Sequence, residues 1–133
     1  MNYLSPENCA ERAEALSVLA LAHLGDAVFE LMTRTFLSTA GYTANMNLHR
    51  LTVGMVNAPA QHRFYERISS SLTEEELAVY KRGRNTRVNS VPKNASLADY
   101  HSATGLEALF GWLYLHNRTE RLNELFEMGL PDA

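Results

Sequence analysis

The sequence predicts an all-α single domain, on three observations. Apolar residues recur at three-and-four spacing along most of the chain. Capping and breaking residues punctuate those runs at helical lengths. No stretch holds a period-two alternation for more than a few residues, so nothing reads as a strand. With 133 residues, 46% of them hydrophobic and 20% charged, the chain can bury a core without disulfides or metal staples. Residues 1–133 read as one domain, with its core from about residue 16 to about residue 128.

The elements follow in order. In "LSPE", Ser5 offers a cap and Pro6 a first helical position, which predicts a short leading helix. From Ala13 to Leu37 one buried face is traced by Leu16, Leu19, Ala20, Leu24, Ala27, Val28 and Leu31, predicting a long apolar helix that Gly41 punctuates. "TANMNLHRLTVGMVN" predicts another, interrupted or ended near Gly54 and Asn57. "APAQHRFYERISSSL" predicts a third, with Pro59 near its start. In "TEEELAVYKRG", Thr73 and Glu76 stand in capping-box spacing, with acids in the first turn and basic residues in the last. "RNTRVNSVPKNAS" reads as an irregular loop. "LADYHSATGLEALFGWLYLHN" is a second strongly apolar helix and "RTERLNELFEMGL" a final amphipathic one. Phe110, Trp112, Tyr114 and Phe126 fall at core spacings.

Composition excludes several classes. A single cysteine, Cys9, rules out an internal disulfide framework and fits a reducing compartment. The first residues show no basic segment followed by an apolar one, and no run of eighteen apolar residues exists. The expectation is a cytoplasmic protein with no membrane partner. His23, His49, His62, His101 and His116 form no HExxH pattern, and no P-loop is present. A net charge of −3 argues on its face against nucleic acid. Yet Lys81, Arg82, Arg84, Arg87 and Lys93 fall in one run without an acid, directly after the acidic "TEEE". Such a run is either a solvated loop or an electrostatic footprint for phosphates; charge alone favours the loop.

Two carboxylates stand where the apolar pattern does not ask for them. Asp26 lies between Leu24 and Val28, and Glu107 sits in "TGLEALFG". An ionised carboxylate among apolar neighbours costs several kcal/mol unless it is paired, hydrogen-bonded or metal-bound. Small residues beside both acids (Gly25, Ala27, Gly105 and Ala108) allow close helix approach. Two such helices could bring Asp26 and Glu107 together around a hard divalent cation, with Mg²⁺ keeping several waters. Alternatively, each acid sits at the edge of its buried stripe and faces water. Glu30 follows Asp26 at i,i+4 and could join the site or pair with Arg34.

"LAHLGDAV" resembles the signature helix of the ribonuclease III family, and "GLEALFGWLYL" resembles that family's second acidic helix. The similarity runs from Val18 to Leu125 and includes "KRGRN" and "VPKNAS" between the helices. No double-stranded RNA-binding segment follows, as in the compact members of the family. The resemblance implies the all-α ribonuclease III endonuclease-domain fold acting as a homodimer, with an acidic site in each subunit. It implies Mg²⁺-dependent hydrolysis of double-stranded RNA, with Mn²⁺ as a substitute, leaving a 5′-phosphate and a 3′-hydroxyl. For the compact members the assigned substrate is the precursor of bacterial 23S ribosomal RNA, and a ribosomal protein is a candidate helper. Asp26 and Glu107 match the family's catalytic metal ligands. Two further acids of the larger enzymes are replaced here by Ala22 and Thr104, so Glu30, Asp99, Thr104 or water would complete the coordination. Lys81, Arg82, Arg84, Asn85, Arg87, Lys93 and Asn94 would meet RNA phosphates. Two other readings remain: a non-catalytic RNA- or ribosome-binding module on the same fold, and a helical interaction module with no RNA role.

Overall fold

Ser17 divides what the periodicity reads as one helix from Ala13 to Leu37. Leu16 and Ser17 are both extended, and the Ser17 side chain accepts from the Ala20 N–H at 3.1 Å. A short α1 (Ala10–Ala15) therefore precedes a separate α2 (Val18–Thr39). The leading helix expected at Ser5 and Pro6 does not form. Asn8 takes a left-handed conformation at φ 60°, which would break any helix begun at Pro6, and α1 starts only at Ala10. The computed structural model describes residues 1–86 and 96–131, and every regular element among them is helical.

A 3₁₀ turn (Ala44–Met46) leads into α3 (Leu48–Val56), whose cap Asn47 is left-handed and accepts from the Arg50 N–H. Asn57 ends α3 and caps α4 (Ala58–Ile68), which carries Pro59 in its first turn. Helix α5 (Glu74–Arg84) opens with both bonds of the expected capping box: Thr73 Oγ1 accepts from the Glu76 N–H and Glu76 Oε1 from the Thr73 N–H. Helices α6 (Leu97–Leu115), capped by Ser96, and α7 (Thr119–Gly129) follow as predicted.

Helix α6 is the axis of the fold. It is buried almost all round from Ser102 to Leu113, and α1, α2, α4, α5 and α7 all pack on it. Phe29, Phe64, Phe110 and Phe126 meet edge to face around it, with Phe29 centroids 5.0, 5.3 and 5.9 Å from the other three rings. Glycines let the neighbours come this close. A Cβ on Gly25 would lie 1.6 Å from the Glu107 carbonyl oxygen, and one on Gly111 2.1 Å from that of Leu21. Gly83 and Gly105 do the same between α5 and α6. Gly25, Gly105 and Gly111 are thus all used for packing inside the chain.

A buried ion pair secures the far side. Glu76 is 2% exposed and accepts two bonds from the Arg121 guanidinium, both at 2.8 Å. Burial pushes the Glu76 carboxyl up, but the bonds from Arg121 and from the Thr73 backbone outweigh it, so its pKa lies below the usual range. Arg121 also bonds the Ser71 carbonyl and pairs with Glu124.

The α2–α6 approach sets the first expectation. Gly25→Ala places a methyl group inside the backbone of α6 and should destabilise by about 3 kcal/mol or more. Chemical denaturation against the parent chain measures it.

Candidate active site

Asp26 is reached by counting along α2 from its fixed point. Gly25 is pressed against the backbone of Glu107, so the next residue emerges at the edge of the α2–α6 seam. Asp26 is exposed there and Glu107 is half-buried beside it. The two helices place Asp26 beside Glu107, and Asp26 also faces solvent at the rim of its apolar stripe. Both are true because the seam opens to solvent at this point.

The pairing has an electrostatic signature. Burial above all, then the Asp26 charge and a proton shared with Asp26, push the Glu107 carboxyl from 4.5 to about 8. The amide of Gln61 on α4 opposes this by favouring the charged form. Sequence reading did not single out Gln61. The available signal was its register, since it shares the buried i, i+3, i+7 stripe of Phe64 and Ile68.

The other sequence-predicted residues separate cleanly. Glu30 pairs with Arg34 at 3.0 Å, with both side chains well exposed. Asp99 lies in the first turn of α6, two turns before Glu107. Thr104 is buried and donates its hydroxyl to the Tyr100 carbonyl at 3.0 Å. Among the described residues no group of three or more His, Cys, Asp or Glu side chains is placed to share a metal ion. Neither Glu30 nor Asp99 stands grouped with Asp26 and Glu107 as a third carboxylate among the described residues.

The basic run begins where α5 meets α6. A Cβ on Gly83 would lie 3.0 Å from the Ala108 Cβ and 3.0 Å from the Thr104 carbonyl oxygen, on either side of Glu107 in sequence. That contact docks the last turn of α5 on the segment of α6 that carries Glu107, with Lys81 and Arg82 exposed. Arg84 lies over the Tyr80 ring at 5.8 Å and donates to Asn85 Oδ1 at 3.2 Å. Tyr80 itself stacks on Tyr65 and bonds Ser102, which also bonds His62. Arg87, Lys93 and Asn94 lie outside the described residues. A broad surface cleft lies elsewhere, between the starts of α5 and α7, and Arg118 and Arg121 in its walls are paired with Glu75 and Glu76.

The donor set fits a hard cation. Two carboxylates, one open to solvent, supply oxygen ligands and leave room for water and a phosphate. An unpartnered buried amide nitrogen, Gln61 Nε2, stands behind Glu107.

A model of the ribonuclease III domain matches residues 19–118. The chain belongs to the ribonuclease III family. Among its relatives, the Mini-ribonuclease 3 of Clostridium tetani is 42% identical over 127 residues, which is 95% of this chain and 84% of that protein. The Mini-ribonuclease 3 of Enterococcus faecalis is 43% identical over 112 residues, 83% of this chain and 85% of the relative. A crystal structure of a Fusobacterium nucleatum protein superposes with a TM-score of 0.77 at 33% identity, covering 84% of this chain and 91% of that one. This ribonuclease III family member is an endoribonuclease of the Mini-ribonuclease 3 type, and its fold is that of the family's catalytic domain. Among the described residues no helix is long and apolar enough to cross a membrane.

The raised Glu107 pKa carries a stability consequence. The folded state keeps a proton that the unfolded chain releases above 4.5, so this group makes stability fall as pH rises from 4.5 to about 8, with no further loss above. In chelator, Glu107→Gln should remove that slope and leave the variant more stable than the parent at pH 8. Melting curves of both proteins across this range give the difference.

Proposed function

We propose that the chain is a divalent-cation-dependent endoribonuclease that hydrolyses double-stranded RNA, with Asp26 and Glu107 holding the cation. The observation that carries this is the meeting of the two carboxylates at an open seam, with the Glu107 proton held up to about 8. Such a pair is repulsive when ionised, and a cation relieves it. Family membership supports the same reading and the duplex substrate. Mg²⁺ is the natural occupant, with Mn²⁺ able to substitute.

The chain's own residues account for most of the steps. Lys81 and Arg82, with Arg84 and Asn85 behind them, neutralise backbone phosphates and lay the duplex across the seam; A-form RNA is read by shape and backbone in this way. Arg87, Lys93 and Asn94 would extend that contact. Asp26, being exposed, meets the incoming phosphate side of the site. Glu107 would release its proton to solvent and hold the cation together with Asp26. Held by these two carboxylates, a divalent cation would supply charge neutralisation at the phosphoryl oxygens and a water of lowered pKa. Water adds to phosphorus and the bond to the 3′-oxygen breaks, leaving a 5′-phosphate and a 3′-hydroxyl.

Two copies of the chain would line up two such sites along one duplex. The outer face of α2 supports this, since Leu24, Ala27 and Leu31 line an apolar groove with Leu4 and Tyr114. The precursor of 23S ribosomal RNA is the proposed physiological substrate, with a ribosomal protein as helper. This follows from the resemblance to proteins named Mini-ribonuclease 3.

Asp26→Asn and Glu107→Gln should each lower cleavage of a long RNA duplex in Mg²⁺ by at least about 10³-fold while the fold is kept. Near-normal cleavage by either purified variant would sink the site, and binding without cleavage by the parent chain would favour a non-catalytic module. Replacing Lys81 and Arg82 by Ala should weaken duplex binding and reduce the slope of log affinity against log salt by about 1 to 2. An unchanged slope would return these residues to a purely structural role.

A further inference from the structure

Gln61 occupies a position that helix packing would fill with an apolar residue. It is 1% exposed, in the stripe shared with Phe64 and Ile68. Its Nε2 is fully buried and has no hydrogen-bond partner. Thr33 Oγ1 and His101 Nδ1 share that condition among the described residues, but Gln61 is the one that lies against the Glu107 carboxyl. Helix α4 has no freedom to carry it away. His62, the next residue, bonds Ser102 of α6 at 2.8 Å, and Phe64 meets the Phe110 ring at 6.0 Å. These two contacts straddle Glu107, one on each side of it along α6.

The residue type matters as much as the place. A carboxylate at position 61 would add a third negative charge, and a lysine or arginine would compete with a cation for the pair. A neutral amide offers a donor and brings no charge. A buried amide donor without a partner can make a charge-assisted bond to a carboxylate oxygen.

We propose that Gln61 is a positioning residue for the cation site: its side-chain N–H donates to the ionised Glu107 carboxylate and holds it in the orientation that meets a divalent cation together with Asp26. This rests on the assignment of Asp26 and Glu107 as the cation's ligands. An outer partner of this kind orients a ligand without touching the metal, and losing one characteristically weakens metal binding.

The test is Gln61→Met, which keeps length and volume and removes the donor. Calorimetric titration with Mn²⁺ should show affinity reduced by about 10-fold or more. With duplex RNA, kcat should fall and recover as Mn²⁺ is raised, while KM for RNA stays at the parent value. Parent-like Mn²⁺ affinity in the folded variant overturns the proposal. If the variant does not fold, side-chain amide signals of Gln61 in the parent chain decide. On adding Mg²⁺ they should shift and exchange more slowly. Unmoved Gln61 signals, with the backbone signals of Asp26 and Glu107 displaced, overturn the role of Gln61 alone. If none of these signals moves and Mn²⁺ gives no heat, the cation site itself is refuted, and this role falls with it.

Discussion

The contact on which the rest depends is the backbone-to-backbone crossing of α2 and α6 at Gly25 and Gly111. With no Cβ on either residue, the two helices approach until the carbonyl of Glu107 fills the space a side chain would take. Everything at the site is a neighbour of that crossing. Asp26 follows Gly25 directly, and Glu107 is the residue whose carbonyl Gly25 touches. The acids are therefore placed by the core and not by a loop, which is the more rigid way to hold a ligand pair. Bringing two carboxylates this close is unfavourable in isolation, and the packing of Phe29, Phe110 and their neighbours enforces it.

The same crossing explains which site residues were legible in the sequence. Asp26 and Glu107 stood out because a charge in an apolar stripe is costly and visible. Of the small residues beside them, Gly25 makes the close approach between α2 and α6, whereas Gly105 and Ala108 face α5 and Ala27 is exposed. Gln61 did not stand out, because a neutral amide among apolar neighbours carries a much smaller desolvation cost and no charge pattern. Its importance comes from α4 lying across α6, a tertiary fact without a local signature. The Ser102, His62 and Tyr80 network was hidden for the same reason, being drawn from three helices.

Among the elements, α4 to α7 were readable from caps and spacing, down to the reciprocal bonds of Thr73 and Glu76, whereas the helix expected from Thr43 starts only at Leu48, after the left-handed Asn47. The N-terminal part was not readable either. Ser17 continues the apolar rhythm on both sides and is also a good cap, and capping prevailed over continuity. Asn8 defeated the start at Pro6 by adopting a left-handed backbone that nothing in its surroundings foretells. Glu14 then fastens the short first helix to α6 by accepting from Trp112 Nε1 at 3.0 Å and meeting His116 at 3.2 Å.

The buried pair of Glu76 and Arg121 has a further consequence for the other end of its helix. Helix α5 is bolted to α7 through its first turn and seated on α6 through Gly83 in its last. An eleven-residue helix fixed at both ends behaves as a stiff strut about 15 Å long. Lys81 and Arg82 thus stand on a mount that does not have to be ordered when a polyanion arrives. On the proposed reading of these two residues as phosphate contacts, only their own rotamers would be lost on binding, which lowers the ordering cost for a protein of net negative charge.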